Sequence, residues 1–185
     1  MAQLMKRQNI NTIVIATPHN LRLRENIGTI ISEFIEGSLE TENGSVKIRF
    51  PCNRPLAEGI YNKAKECGIP VVAVNYGTNE GPASCIPMDW GTLIPLWFFG
   101  TVSEKTRVVV VTPSRELPIG KLVEFGAVIA QVAEESSERI AFVASADQAH
   151  THDSKGPYGF SPAAAKFDRL AVETVEEDKL DTLLN

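Results

Sequence analysis

Residues 12–20 read Thr-Ile-Val-Ile-Ala-Thr-Pro-His-Asn. The apolar run is β-branched and continuous rather than alternating, the pattern of a strand buried on both faces. Thr17-Pro18 then stops it at a rigid turn that exposes the next side chain, His19. Three other runs have the same character: Pro70-Val-Val-Ala-Val74, Arg107-Val-Val-Val-Val-Thr112 and Arg139-Ile-Ala-Phe-Val-Ala144. Apolar residues at helical spacing lie around them. Leu56, Ile60, Ala64 and Cys67 form a stripe that ends at Gly68-Ile-Pro70; Leu122, Phe125, Val128, Ile129 and Val132 form a second; Phe167, Leu170, Ala171 and Val175 form a third. Ile27–Ile31 and Val46–Phe50 read as strands around a loop of Gly, Ser and Asn. Alternating helix and buried strand predicts an α/β layered fold with a largely parallel central sheet flanked by helices.

The chain has 185 residues, read as a single domain over 1–185. Eighteen basic against 23 acidic residues give a net charge of −5, which argues against a nucleic-acid partner. No apolar run is long enough to span a membrane, and the N-terminus carries no secretory signal pattern. The three cysteines, Cys52, Cys67 and Cys85, are odd in number and widely spaced. They match neither a disulfide framework nor a zinc motif and suggest a reducing, cytoplasmic setting.

Ligands of such sheets gather beyond the carboxyl ends of the strands. Four segments qualify: Thr17-Pro-His-Asn20, Asn75-Tyr-Gly-Thr78, Thr112-Pro-Ser-Arg115 and Ser145-Ala-Asp-Gln-Ala-His150. Two of the chain's three histidines fall there, and the third, His152, follows closely, with Asp153 beside it. A neutral imidazole can bind a metal or move a proton, although isolated histidines are more often plain surface or structural residues. Pro87–Phe99 is strongly apolar and aromatic. Asp89 reads as a helix N-cap there, and Leu93–Phe99 as a core helix. Gly77-Thr-Asn-Glu-Gly81-Pro lacks both nucleotide-binding glycine patterns. No cysteine or serine lies in a nucleophile signature, so a thiol- or zinc-based hydrolase ranks last.

Four segments together resemble one family: TIVIATPHN (12–20), VNYGTNEGPASCIPMDWGTLIPLWFF (74–99), VVVVTPSRELP (108–118) and ASADQAHTHDSKGPYGFSPAAAKFD (144–168). They are similar to the class III extradiol ring-cleavage dioxygenases of the LigB type. The last segment is the most specific, with Asp147, His150, Gly156-Pro-Tyr-Gly159 and Phe167-Asp168 in the family's order. The resemblance implies a non-haem Fe(II) held by two His and one carboxylate, a catechol-type aromatic diol and O2 as substrates, and an acid–base His beside the metal. Residue by residue, it makes His19 an iron ligand matching the family's second ligand His, and His150 the acid–base residue. Asn20, Asp89, Trp90, Pro113, Asp147, His152 and Tyr158 become the substrate pocket. Trp90 stands where some members have His, and its single N–H cannot do a histidine's work.

The family's first ligand His comes from an earlier strand and its carboxylate from a glutamate near the chain's end; neither has a match here. The chain is therefore expected to lack the family's N-terminal strand and helix and its C-terminal segment. Asp147, His152, Asp153 and Glu80 are the conceivable substitute ligands. Sheet edges left open by such a loss favour pairing with a second copy, so a homo-oligomer is expected. The competing expectation is a non-catalytic family member that binds or scaffolds without iron.

Overall fold

The computed structural model describes residues 2–99 and 106–184. The chain forms two compact units, Met1–Ser145 and Ala146–Asn185. The first is a mixed α/β layer structure. After a short helix α1 (Ala2–Arg7), its elements run β1 (Thr12–Ala16), β2 (Ile27–Ile30), β3 (Phe34–Thr41), β4 (Gly44–Pro51), α2 (Arg54–Glu66), β5 (Val71–Val74), β6 (Cys85–Pro87), α3 (Trp90–Phe99), β7 (Arg107–Thr112), α4 (Ile119–Glu135) and β8 (Ile140–Ala144). The five-stranded sheet has the order β5-β2-β7-β1-β8, and a three-stranded sheet has the order β4-β3-β6.

The four apolar runs are the framework of the large sheet. Successive side chains of a strand point to opposite faces, and the core divides accordingly. Ile13, Ile15, Val108 and Val110 join one cluster with Met5, Ile35, Phe50, Ile86, Leu96 and Phe99, which is the side of the small sheet, α1 and α3. Val14, Val109 and Val111 join the other with Leu56, Ile60, Phe125, Val128 and Ile129 of α2 and α4. A strand covered on both faces needs apolar residues at every position, hence the unbroken valines of β7. Each such side chain contributes about 1.5–3 kcal/mol by leaving water.

The sheet is parallel except at one join. β1 pairs in parallel with β7 (Ala16↔Val111) and β8 (Ala16↔Ala144). β2 runs antiparallel to β7, with Gly28 opposite Thr112, and β5 is parallel to β2. The carboxyl ends of β1, β7 and β8 therefore share one end of the sheet, and that of β5 lies at the other. This corrects the grouping of Asn75–Thr78 with the other three segments. Asn75 Oδ1 instead accepts hydrogen bonds from Ser32 Oγ (2.8 Å) and Ser84 Oγ (2.9 Å), tying the end of β5 to the small sheet's flank.

Two further local expectations change. The region between Ile31 and Val46 is not a loop: β3 occupies most of it and pairs antiparallel with β4 along its whole length. Ile35 is the one fully buried residue of β3, so the strand carried little apolar signal. Cys67 lies outside the α2 stripe, exposed at the helix end, where Gly68 adopts φ of 69° and turns the chain toward β5. Among the described residues no helix is long and apolar enough to cross a membrane.

A polar network closes the sheet end opposite the carboxyl ends of β1 and β7. Glu138 accepts from Thr12 Oγ1, from Asn53 Nδ2 (2.9 Å) and from Arg107 Nη2. Asn53, 1 % exposed, also caps α2 by accepting from Leu56 N (3.4 Å). Burial alone would raise the Glu138 carboxyl, but the bonds from Thr12 and Asn53 and the Arg107 charge outweigh it and hold it below its ordinary value. A folded-state pKa below the unfolded one stabilises the fold above the ordinary carboxylate range, and that contribution is lost as pH falls through the folded value. Glu138→Gln should cost about 1–2 kcal/mol at neutral pH. The Tm gap to wild type should narrow steadily in acid; a gap constant with pH would contradict the assignment.

Candidate functional site

β1 and β7 lie side by side in register, so their two Thr-Pro turns, Thr17-Pro18 and Thr112-Pro113, emerge level with each other. Thr17 N donates to Val111 O (3.0 Å) and fixes the alignment. The connection from β1 to β2 must pass over the end of β7, because β7 sits between them. That crossing encloses a cavity of about 180 Å3 lined by Pro18, His19, Leu21, Arg22, Leu23, Pro113, Ser114, Arg115 and Glu116. Ser114 Oγ donates to Leu23 O (3.0 Å) and accepts from Glu116 N (3.3 Å), which ties the two walls together.

The cavity is cationic within an acidic chain. Arg49, Arg54 and Arg107 each pair with a carboxylate. Among the described residues Arg22 and Arg115 have no ion-pair partner, and Glu116 on the same wall pairs with neither. His19 is exposed and makes no hydrogen bond to a described residue. Two unpaired guanidiniums and an imidazole around a small cavity suit an anionic group on a ligand. Arg22 and Arg115 were not among the expected site residues. Arg22 stands four residues beyond the strand-ending Thr17-Pro18 and Arg115 two beyond Thr112-Pro113, positions the sequence did show.

The N-terminus of α3 braces the first turn. Asp89 caps the helix: its Oδ2 accepts from Gly91 N (3.0 Å) and its Oδ1 from Thr92 Oγ1 (2.6 Å). The same Oδ2 accepts from Thr17 Oγ1, linking the cap to the end of β1. Asn20 Nδ2 donates to Pro87 O (2.9 Å), and Asn20 Oδ1 is buried without a donor among the described residues. Asp89, Trp90 and Asn20 thus lie around the His19 turn, and of the expected pocket residues in this unit only Pro113 lines the cavity itself. Trp90 is 68 % exposed. Leu93, Leu96 and Phe99 are buried as a core helix requires, whereas Ile94, Trp97 and Phe98 are exposed.

The second unit holds the other expected residues. Its loop leads into α5 (Pro162–Glu176), capped by Ser161, whose Oγ accepts from Ala163 N (3.3 Å). His150 Nε2 meets Asp147 Oδ2 at 2.7 Å, and the Tyr158 ring stands edge-on to the imidazole at 5.2 Å. His152 Nε2 meets Asp168 Oδ2 at 2.8 Å. Asp168 Oδ1 also accepts from Ala149 N (2.9 Å). The Ala149 amide, joined by His152 and more weakly by the His150 charge, holds the Asp168 carboxyl below its ordinary value despite some desolvation. Asp168, quoted above within the most specific segment, has no role among the expected site residues. The i,i+3 spacing of Asp147 and His150 was a local signal, but nothing local links residues 152 and 168.

An iron of the two-His, one-carboxylate type needs three converging donors. Among the described residues no group of three or more His, Cys, Asp or Glu is placed to hold a metal ion. The charged residues that line the cavity with His19 are Arg22, Arg115 and Glu116. In the other unit His150 and His152 each turn Nε2 to a carboxylate. The described donors do not fit Fe(II). Cys52 is a poor nucleophile, because burial, reinforced by Cys85, pushes its thiol up to about 12.

Comparison with known proteins agrees with the segments quoted above. Residues 1–185 match the family described as the catalytic LigB subunit of aromatic ring-opening dioxygenase. Protein CA_C1420 of Clostridium acetobutylicum is 28 % identical over 172 residues, which is 92 % of this chain and 36 % of that protein. The chain therefore spans about a third of the length of this relative.

A Cβ built on Gly91 would lie 2.5 Å from Thr17 Oγ1, 2.8 Å from Asp89 Oδ2 and 3.1 Å from Pro18 Cδ. In an open helix Gly→Ala stabilises by about 0.5–1 kcal/mol. Here Gly91→Ala should destabilise by about 1–3 kcal/mol, because it forces apart the α3 cap and the His19 turn. Thermal denaturation gives the sign directly, and a raised Tm would contradict the close approach.

Proposed function

This chain belongs to the LigB family of aromatic ring-opening dioxygenase catalytic subunits, and we propose that it serves the O2-dependent opening of a catechol-type ring, with His150 as its acid–base residue. The observation that carries this reading is the 2.7 Å bond between His150 and Asp147 within the segment most characteristic of the family. With the carboxylate accepting from Nε2–H, the His150 ring keeps a lone pair on Nδ1. That atom can take a proton from a ring hydroxyl and return it later, while Asp147 holds the ring and steadies the imidazolium. Tyr158 limits the ring's rotation from the side.

The His19 cavity is the proposed ligand pocket of the first unit. Its volume of about 180 Å3 is close to that of a cavity known to take one benzene, roughly 150 Å3. Arg22 and Arg115 favour a diol that also carries an acid group. The family's Fe(II) is the expected cofactor. Because the described donors do not fit it, ring opening requires donors from elsewhere, and a second copy of the chain is the source we propose. β5 and β8 are the edge strands of the large sheet and offer unpaired backbone for such an association. Free thiols at Cys52, Cys67 and Cys85 support a cytoplasmic setting.

The donor deficit favours a second reading, a family member that binds a small aromatic acid without turning it over. One experiment separates the two. Protein purified without chelator is analysed for iron, then given Fe(II) and a panel of catechols under argon, and finally oxygen. Ring opening predicts oxygen uptake with yellow products, faster for acid-bearing diols. His150→Ala should slow it by about 10²–10⁴-fold. Absence of iron and of uptake across the panel would reject catalysis and leave the binding reading.

A further inference from the structure

We infer that Asp168 is a positioning residue that clamps the loop on both sides of His150. Its two carboxylate oxygens are used separately. Oδ1 accepts from the backbone N–H of Ala149, the residue before His150 (2.9 Å). Oδ2 meets the ring of His152, two residues after it (2.8 Å). Asp168 sits seven residues into α5, on a rigid element, while His150 sits on a loop with no helix or strand of its own. A loop imidazole moves with its backbone unless the backbone is held, and a helix-borne carboxylate reaching both flanks is an efficient way to hold it.

The rest of the loop supports this assignment. Ser161 N donates to Thr151 O (2.8 Å), and His152 pairs with Phe160 as an isolated antiparallel bridge. Residues 151–161 are thereby closed into a ring that returns to the start of α5, which brings residue 168 within reach of 149 and 152. The depressed Asp168 carboxyl fits a group that stays ionised and accepts on both oxygens. His152 then acts on Asp168, as the second jaw of the clamp, and not on a ligand. This inference gives His152 a positioning role in place of the pocket role expected from the family resemblance. The inference rests on the acid–base reading of His150 only for its effect on catalysis; the clamp itself is read without any reaction.

The test uses ¹⁵N-histidine NMR and amide exchange on the full chain. In wild type, His150 and His152 should both carry the proton on Nε2. Asp168→Ala should speed Ala149 amide exchange by about tenfold or more and mix the His150 tautomers, with native circular dichroism elsewhere. Asp168→Asn is the milder variant and keeps the test open if Asp168→Ala does not fold. Its amide oxygen can still serve Ala149, while its NH2 forces His152 to the Nδ1–H tautomer and leaves His150 unchanged. Where oxygen uptake is measurable, Asp168→Ala should lower kcat by about 10–100-fold with little change in KM, and Asp168→Asn should recover most of it. A folded Asp168→Ala with wild-type His150 nitrogen shifts, or an Asp168→Asn with unchanged His152, overturns the clamp. Absent oxygen uptake with the NMR changes as stated would count against the ring-opening reading and not against the clamp.

Discussion

The structure of the first unit depends on one constraint: β7 must be covered on both faces. Val108–Val111 are completely buried, two facing the small sheet with α1 and α3, and two facing α2 and α4. Only the middle of a sheet with layers on both sides satisfies such a strand. Its central position fixes what can be adjacent. β1 lies on one side in parallel and β2 on the other in antiparallel, so the chain leaving β1 has to cross the end of β7 to begin β2. The cavity with His19, Arg22 and Arg115 is the space beneath that crossing. The cationic pocket therefore follows from where β7 is buried.

The two units treat histidine differently. In the first, among the described residues, His19 is left without a hydrogen bond on a wall shared with two arginines that have no ion-pair partner. In the second, both imidazoles are committed to carboxylates at 2.7 and 2.8 Å. A histidine whose Nε2 serves an aspartate is oriented for proton transfer through Nδ1, the use made of carboxylate–imidazole pairs wherever a base has to keep one tautomer. Neither arrangement gathers the donors a facial iron site requires. Among the described residues, the histidines are placed in two separate settings and no donor set for the family's metal is gathered.

Much of this was readable in the sequence, for identifiable reasons. β1 and β7 have the boundaries of their apolar runs, because strands buried on both faces leave an unbroken signal. The Asp89 cap and the Asp147–His150 pair were visible because their partners are two to three residues apart. β3 was not visible, since one face of the small sheet is solvated and Ile35 is its one fully buried residue. The reversed direction of β2 and β5 was equally hidden: short apolar runs look the same in either direction. The joint role of Arg22 and Arg115 depends on the β1–β2 crossing. That of Asp168 depends on the closure of residues 151–161, so the residue types were apparent and their proximity was not.

The central claim is that the crossing over β7 builds the ligand pocket of this chain. The most direct measurement is a crystal structure of the protein grown with saturating 3,4-dihydroxybenzoate, compared with one grown with catechol. The account predicts the acid's ring beside His19, between the turns at Pro18 and Pro113, with its carboxylate on Arg22 and Arg115. Density for the acid at another place, or an unaltered cavity at saturation, would contradict it.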